Sequence, residues 1–181
     1  MGSDNLKLKK AVELLNQRGL NGFIIYSNGT CSILRPSYLH YFSGWKPLGP
    51  RNAAIISQSG EVALLVEPFW DSIRASRKSW IRDVRGSSNF LKDLIGIMRE
   101  FNIRGAVGLA GSKEMTQDLY AAIKKEASIL FTDEIIEEMA REKTEWEIEI
   151  ARKTARIADI GSRAFLEHAR LGIREYELVA E

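Results

Sequence analysis

Apolar residues follow a helical period in some segments of this chain and form short strand-like runs in others. Between Leu6 and Arg18, residues Leu8, Val12 and Leu15 fall on one helical face. Apolar runs of three to five residues, by contrast, are typical of buried strands. The pattern predicts helices at 6–18, 68–78, 90–101, 116–125 and 134–139, and strands at 23–26, 39–42, 53–56, 62–66, 80–84, 106–109 and 129–131.

The order of these elements predicts the fold class. Strands and helices alternate, and the runs 53–56 and 62–66 flank the polar turn Ser57-Gln58-Ser59-Gly60, which is typical of a hairpin. Such an order favours an α/β fold, with a mixed sheet flanked by helices and ending near residue 133.

The last forty residues predict the beginning of a second domain. A long helical pattern leads to Gly172, which suits the left-handed position after a helix. A second helix begins at Arg174 or Glu175, and the sequence stops at Glu181 without a capping residue. A helix of about two turns is marginal alone. We therefore expect a longer protein, with one domain at 1–135 and a linker helix and the truncated start of a second domain at 136–181.

Composition and charge limit the partners and the cellular compartment that we expect for this protein. The counts of 26 Lys+Arg and 24 Asp+Glu give a net charge of +2, too balanced to indicate nucleic acid. Neither a membrane span nor a secretory signal is visible, so we expect no membrane partner and a cytoplasmic location. The single cysteine, Cys31, excludes an internal disulfide and is expected to be a small apolar residue. Whether Met1 to Ser3 are native is left open.

The sequence was searched for a nucleotide-binding motif and for a metal site, and ordinary structural roles explain the candidate residues for both. Gly105, Gly108 and Gly111 have the spacing of a dinucleotide fingerprint, but Gly105 precedes the predicted strand and Gly108 lies inside it. For metal binding, no HExxH or paired-cysteine motif is present. The acidic residues between 134 and 149 sit in predicted helices and are interspersed with Lys and Arg, which is typical of a solvated helix face.

The loop from His40 to Arg51 is the strongest candidate for recognition. It combines aromatic residues and an arginine around two prolines, a composition common on binding surfaces. The alternative is that Phe42 and Trp45 cover a sheet edge or the core.

Taken together, the segments resemble the N-terminal domain of the creatinase/prolidase/aminopeptidase P family, the pita-bread metallohydrolases. The similarity covers nearly the whole chain and is most specific at its C-terminal end. The matching segments are Gly19-Leu20-Asn21-Gly22-Phe23-Ile24-Ile25, Tyr41-Phe42-Ser43-Gly44-Trp45, Ser59-Gly60-Glu61-Val62-Ala63-Leu64-Leu65-Val66, Val107-Gly108-Leu109, Arg141-x-Lys143-Thr144-x-x-Glu147-Ile148, Ala155-Arg156-Ile157-Ala158-Asp159-Ile160-Gly161 and Gly172-Ile173-Arg174-Glu175-Tyr176-Glu177-Leu178.

This resemblance implies a ribonuclease H-like N-terminal domain followed by a linker helix. It also implies a catalytic domain that holds two divalent metal ions, such as Mn, Co or Zn, or none if the parent protein is creatinase-like. The five metal ligands of that domain (two Asp, one His and two Glu) would lie beyond residue 181. No catalytic or metal-ligating residue is therefore expected in this chain, which should be inactive alone. Arg174 departs from the family pattern, where Thr is frequent.

Family members commonly dimerise through this domain, which covers the active site of the neighbouring subunit. The resemblance thus implies a homodimer in which Arg51, Trp45 and His40 face the partner's substrate, with Arg51 binding a carboxylate. The substrate would be an Xaa-Pro peptide or a small amidino compound. Two alternatives stay open, namely a protein-interaction module that has lost its metal ligands and a complete small α/β protein.

Overall fold

A computed structural model describes the backbone of residues 2–29 and 37–180, and the side chains in these ranges from residue 6 onward. Eight helices and six strands lie in these ranges, and two short 3₁₀ turns cover Phe69–Asp71 and Ser112–Glu114. The helices are α1 Gly2–Gln17, α2 Tyr38–Ser43, α3 Ser72–Lys78, α4 Phe90–Glu100, α5 Gln117–Glu126, α6 Asp133–Arg141, α7 Glu145–His168 and α8 Glu175–Val179. The strands are β1 Gly22–Ser27, β2 Asn52–Ser57, β3 Val62–Val66, β4 Asp83–Gly86, β5 Gly105–Ala110 and β6 Ala127–Phe131.

The six strands form one mixed sheet in the order β4-β3-β2-β1-β5-β6. Only β2 runs antiparallel to the other strands. It is antiparallel to β1 on one side and forms the predicted hairpin with β3 on the other. The pairs β1–β5, β3–β4 and β5–β6 are parallel. The predicted α/β class, a ribonuclease H-like mixed sheet flanked by helices and followed by a further helix, is confirmed.

The sheet separates two apolar cores. The first core cluster packs α1, α2 and α6 against one face and includes Phe23 and Ile25 of β1. The second core cluster packs α4 and α5 against the other face and includes Ile24 and Tyr26 of β1. Side chains of a strand alternate between faces, so a strand buried on both sides is apolar throughout. This explains why β1 has a continuous apolar run.

The predicted strand at 39–42 is wrong, because these residues form helix α2. The Ser37 hydroxyl accepts a hydrogen bond from the His40 backbone N–H, and Gly44 ends the helix with a left-handed φ of 72°. Leu39 and Phe42 are buried at helical spacing. A short apolar run fits either a helix or a strand, and here the residues that flank it determine the helix.

The predicted strand at 80–84 is displaced toward the C-terminus. Trp80 and Ile81 pack on the first core cluster, and the Trp80 indole donates a hydrogen bond to the Phe42 carbonyl at 2.5 Å. Backbone pairing with β3 therefore begins only at Asp83. The other predicted elements are found within a few residues of their predicted bounds.

The chain divides into two compact units, Met1–Arg141 and Glu142–Glu181. The first unit contains the sheet and α6, and the predicted domain division at residue 135 stays a prediction. In the second unit, Thr144 and Glu147 form a reciprocal capping box at the start of α7. Gly172 has the predicted left-handed conformation, with φ of 88°.

Two glycine substitutions should have opposite effects on stability. Gly111 has φ of 82°, and an added Cβ would collide with the Tyr26 carbonyl oxygen, so Gly111→Ala should lower the free energy of unfolding by at least about 1–2 kcal/mol. Gly96 lies within α4, and an alanine methyl group there would meet no neighbouring atom within 4 Å, so Gly96→Ala should raise it by about 0.5–1 kcal/mol. Urea denaturation of both variants measures the two changes, and equal effects would contradict the assigned backbone conformations.

Candidate functional site: the carboxyl end of the sheet

The carboxyl ends of the parallel strands β1 and β5 lie side by side, and the chain leaves them toward opposite faces of the sheet. After β1 it enters α2, whose Leu39 belongs to the first core cluster. After β5 it enters α5, whose Leu119 belongs to the second. Open α/β sheets bind ligands at such a divergence, where the two connections leave a crevice. This end of the sheet is therefore the candidate site.

Glu114 spans the two diverging strand ends. It follows β5, and its carboxylate accepts hydrogen bonds from the Asn28 backbone N–H at 2.8 Å and the Ser27 hydroxyl at 3.3 Å. The Ser27 hydroxyl in turn accepts a hydrogen bond from the Ser37 hydroxyl at 3.0 Å. These bonds connect the end of β1, the start of α2 and the turn after β5, and so fix the geometry of the divergence.

Arg51 is oriented by Glu67 across the neighbouring strands. Its Nε and Nη2 donate to the two carboxylate oxygens at 2.5 and 2.9 Å. Glu67 is nearly buried at 13% side-chain exposure, and Arg51 is one-third exposed. The bidentate bond raises the pKa of Arg51 further above its usual value. A guanidinium has five N–H donors, so this pair holds Arg51 in place while using only two.

Tyr26 lies near this pair, and its buried hydroxyl has no hydrogen-bond partner among the residues that the structure describes. Its ring meets the Phe90 ring edge-on at 6.2 Å, and the Arg51 guanidinium lies 5.9 Å from the Phe90 ring centre. Burial raises the pKa of Tyr26 to about 12, because the phenolate would lose its hydration. An unpartnered buried hydroxyl costs about 1–3 kcal/mol, which makes Tyr26 an unusual feature of this end of the sheet.

We define the carboxyl-end cluster as Tyr26, Arg51, Glu67, Glu114 and Asp118, because the charges of the other four residues act on the Tyr26 hydroxyl. The Thr116 hydroxyl and the Leu119 backbone N–H lower the pKa of Asp118 by hydrogen bonding to its carboxylate. One guanidinium and three carboxylates give the cluster an excess of negative charge. Within the cluster, a substrate carboxylate would therefore be attracted by the Arg51 guanidinium and repelled by the three carboxylates around it.

The structure does not bring the three predicted site residues together. Trp45 is 1% exposed in the first core cluster, under the Arg74 guanidinium at 4.3 Å, and donates to the Asn52 side chain at 3.3 Å. Arg51 lies by Phe90 in the second core cluster, on the opposite face of the sheet. Trp45 thus has no ring surface to offer a ligand in this conformation.

His40 lies on the exposed side of α2. Desolvation, together with the positive charges of Lys46 and Lys7, lowers its pKa below the usual value, so the neutral imidazole is favoured at pH 7. The proposed contacts of all three predicted residues with a neighbouring subunit stay predictions. Sequence reasoning missed the other four residues of the cluster, although their positions offered a signal. Tyr26 ends a predicted strand, Glu67 and Glu114 follow predicted strands, and Asp118 lies in the first turn of a predicted helix.

Metal ligands and membrane spans were also sought in the ranges 2–29 and 37–180. Within them, no group of three or more His, Cys, Asp or Glu side chains is placed to hold a metal ion. None of the helices in these ranges combines the length and apolar character needed to cross a bilayer. Cys31, for which an apolar role is predicted, lies outside the described residues.

Comparison with known proteins identifies relatives along almost the whole chain, although no family model matches it. An Xaa-Pro dipeptidase from Pyrococcus horikoshii is 28% identical over 98% of this chain and 46% of its own length. The solved prolidase from Pyrococcus furiosus superposes with a TM-score of 0.73 at 25% identity, covering 96% of this chain and 50% of that one. The N-terminal domain of the cytoplasmic peptidase PepQ from Mycobacterium tuberculosis gives a TM-score of 0.56 at 17% identity, covering 74% of this chain and 97% of that domain.

These relatives confirm the resemblance to the N-terminal domain of prolidase and aminopeptidase P proteins. The chain spans about half the length of the curated relative it matches.

Replacing Tyr26 by Phe should stabilise the protein. Tyr26→Phe removes the unpartnered hydroxyl and should raise the free energy of unfolding by about 1 kcal/mol at pH 7. Since the folded pKa is about 12 and the unfolded pKa about 10, stability should fall as pH rises from about 10 to 12, and less so in the variant.

Tyr38→Phe is the matched control, because the Tyr38 hydroxyl donates to Glu137 at 2.9 Å and its loss should not stabilise. Chemical denaturation at several pH values provides the measurement. A clear loss of stability in Tyr26→Phe would show that the hydroxyl has a favourable partner.

Proposed function

We propose that this chain is the non-catalytic N-terminal domain of a metal-dependent hydrolase that cleaves a C–N bond. The observation that carries the proposal is the match of 98% of the chain to 46% of an Xaa-Pro dipeptidase. The substrate class is an Xaa-Pro peptide or, in a creatinase-like parent, a small amidino compound. The parent protein would be cytoplasmic and would hold two divalent metal ions, or none if creatinase-like, in its other half.

The surface of α7 supports the presence of a further polypeptide unit. Large apolar side chains on this helix, including Trp146, Ile157 and Leu166, are more than half exposed. Isolated exposed apolar residues are common, but a 24-residue helix with several of them usually packs against another structure. A catalytic domain that begins with α7 would cover this surface.

The domain would contribute to function by dimerising and covering the partner subunit's active site. Arg51 is the residue best suited to contact a substrate there, because Glu67 fixes its orientation and leaves three N–H donors for a carboxylate. Preorganisation of this kind lowers the entropic cost of binding. The negative neighbours of Arg51 would favour a substrate that also carries a positive group, as an Xaa-Pro dipeptide does at its amino end.

The isolated chain should show no peptidase activity. With Mn²⁺ or Co²⁺ added, purified residues 1–181 should release no proline from an Xaa-Pro dipeptide, because catalysis would need ligands from the other half of the protein. Proline release is measured directly, with the Pyrococcus furiosus prolidase as positive control. Turnover that a chelator abolishes would overturn the assignment as a non-catalytic domain.

Arg51 should matter for substrate use in the protein that contains the catalytic half. Arg51→Ala should lower kcat/KM about ten-fold or more, since a charge-assisted hydrogen bond contributes about 1.5–3 kcal/mol. Arg99→Ala is the control, because Arg99 forms a similar bidentate pair with Glu126 away from the cluster. Equal kcat/KM in the two variants would remove Arg51 from the substrate site.

A further inference from the structure

A groove of about 580 Å³ lies at the end of the sheet opposite the carboxyl-end cluster. It is lined by residues 57–59 and 61 of the β2–β3 turn, by residues 100–102 at the end of α4, and by Asn21 just before β1. We call it the amino-end groove, because β1 and β3 begin here. Its volume falls within the range of sites that bind small molecules.

The lining of the amino-end groove is polar. Seven of its eight residues have polar or charged side chains, and the exception, Phe101, is 8% exposed. Asn21, Gln58 and Asn102 carry amides, and each amide has both N–H donors and an acceptor oxygen. Such side chains can pair with ligand hydroxyl groups, which also donate and accept. A hydroxylated ligand therefore suits the groove better than an apolar one.

Glu61 is oriented by the turn between β2 and β3. Its Oε2 accepts hydrogen bonds from the Ser57 hydroxyl at 3.1 Å and the Ser59 hydroxyl at 3.0 Å. Its backbone N–H donates to the Ser57 hydroxyl at 3.0 Å. In the described part of the chain, the other carboxylate oxygen, Oε1, has no hydrogen-bond partner. The turn thus fixes a carboxylate at the groove and leaves one oxygen for a ligand.

The end of α4 adds negative potential to the groove. Asn102 has a left-handed φ of 52°, and its N–H and that of Ile103 return to carbonyls of the last helical turn at 3.1 and 2.8 Å. Among the described residues, no backbone N–H bonds to the carbonyls of Glu100 and Phe101. Carbonyl groups left unpaired at the end of a helix carry its partial negative charge. A cation is therefore favoured beside them.

The charged side chains at the groove have the same sign. Its eight lining residues include no lysine or arginine and two glutamates, Glu61 and Glu100. Arg85 donates to both oxygens of Glu100 and also to both oxygens of Asp83. Its hydrogen bonds lower the pKa of Glu100, which is therefore ionised at pH 7. Two carboxylates face one guanidinium, so together with Glu61 this region has an excess of negative charge.

An ammonium group fits these acceptors better than a divalent metal ion. Hard metal ions take several carboxylate oxygens, and within residues 2–29 and 37–180 no group of three or more His, Cys, Asp or Glu is placed to hold one. An ammonium group has three N–H donors, which one carboxylate and two neutral oxygens can satisfy. Glu61 and the amide oxygens of Gln58 and Asn102 line the same groove and provide acceptors of these kinds.

We propose that the amino-end groove binds a hydroxylated primary amine of the size of an amino sugar. Glu61 binds the ammonium group, and the amide side chains bind the hydroxyl groups. This site lies at the opposite end of the sheet from Arg51 and does not depend on the peptidase assignment. Exposed charge pairs contribute little free energy, so we expect a dissociation constant on the order of 1 mM.

Heteronuclear NMR of the whole chain tests the proposal, with glucosamine as the probe at a pH where its amine is protonated. Backbone amide signals of residues 57–61 and 100–102 should shift and saturate as glucosamine is added. N-acetylglucosamine keeps the ring but has no ammonium group, so it should bind about five-fold more weakly or worse. The proposal fails if no saturable shift occurs, if the two sugars bind equally, or if calcium chloride displaces glucosamine.

Variants test the assigned contacts in the same titration. Glu61→Gln keeps an oxygen for the serine hydroxyls but removes the charge, so it should weaken glucosamine binding about five-fold and leave N-acetylglucosamine binding unchanged. Asn102→Gly preserves the left-handed backbone, removes one amide and should weaken the binding of both sugars.

Glu137→Gln is the matched control, because it removes the same charge from an exposed residue of α6 that does not line the groove. It should change neither affinity, and the spectra of all three variants report whether each one is folded. Unchanged glucosamine affinity in Glu61→Gln, or an equal loss in Glu61→Gln and Glu137→Gln, would contradict the proposal.

Discussion

The burial of β1 on both faces is the constraint on which the rest of the structure depends. Its residues alternate between the two core clusters, and it pairs with the antiparallel β2 on one side and the parallel β5 on the other. The helices of the first unit that contribute to either core therefore pack on the two faces of a sheet in which β1 is a central strand. The same burial leaves the Tyr26 hydroxyl, near the end of β1, without a hydrogen-bond partner in the described part of the chain.

The carboxyl-end cluster is a consequence of strand order more than of any local motif. Tyr26 lies near the end of β1, Arg51 precedes β2, Glu67 follows β3 and Glu114 follows β5. Because β2 alone is reversed, its beginning lies beside the ends of its neighbours. The guanidinium of Arg51 and the carboxylate of Glu67 meet there, next to each other on one face of the sheet.

The sequence is sufficient to predict most elements and the fold class, but it predicts less of the site. Long helical periods and the hairpin turn locate α4, α5, β2 and β3, whereas the six-residue α2 resembles a strand until its Ser37 and Gly44 ends are considered. Arg51 is recognisable through the family resemblance. Its neighbours Tyr26, Glu67 and Glu114 come together only through the strand order, which spacing along the chain does not determine.

The distribution of charge on α7 leads, independently of the comparisons, to the same view of the chain. Residues 149, 152, 156, 159, 163 and 167 are charged and recur every three or four positions, so they form one stripe along the helix. Ile150 and Ile157 lie on another side and are exposed. A helix with an exposed apolar side beside such a stripe is suited to a largely covered position, which a following domain would provide.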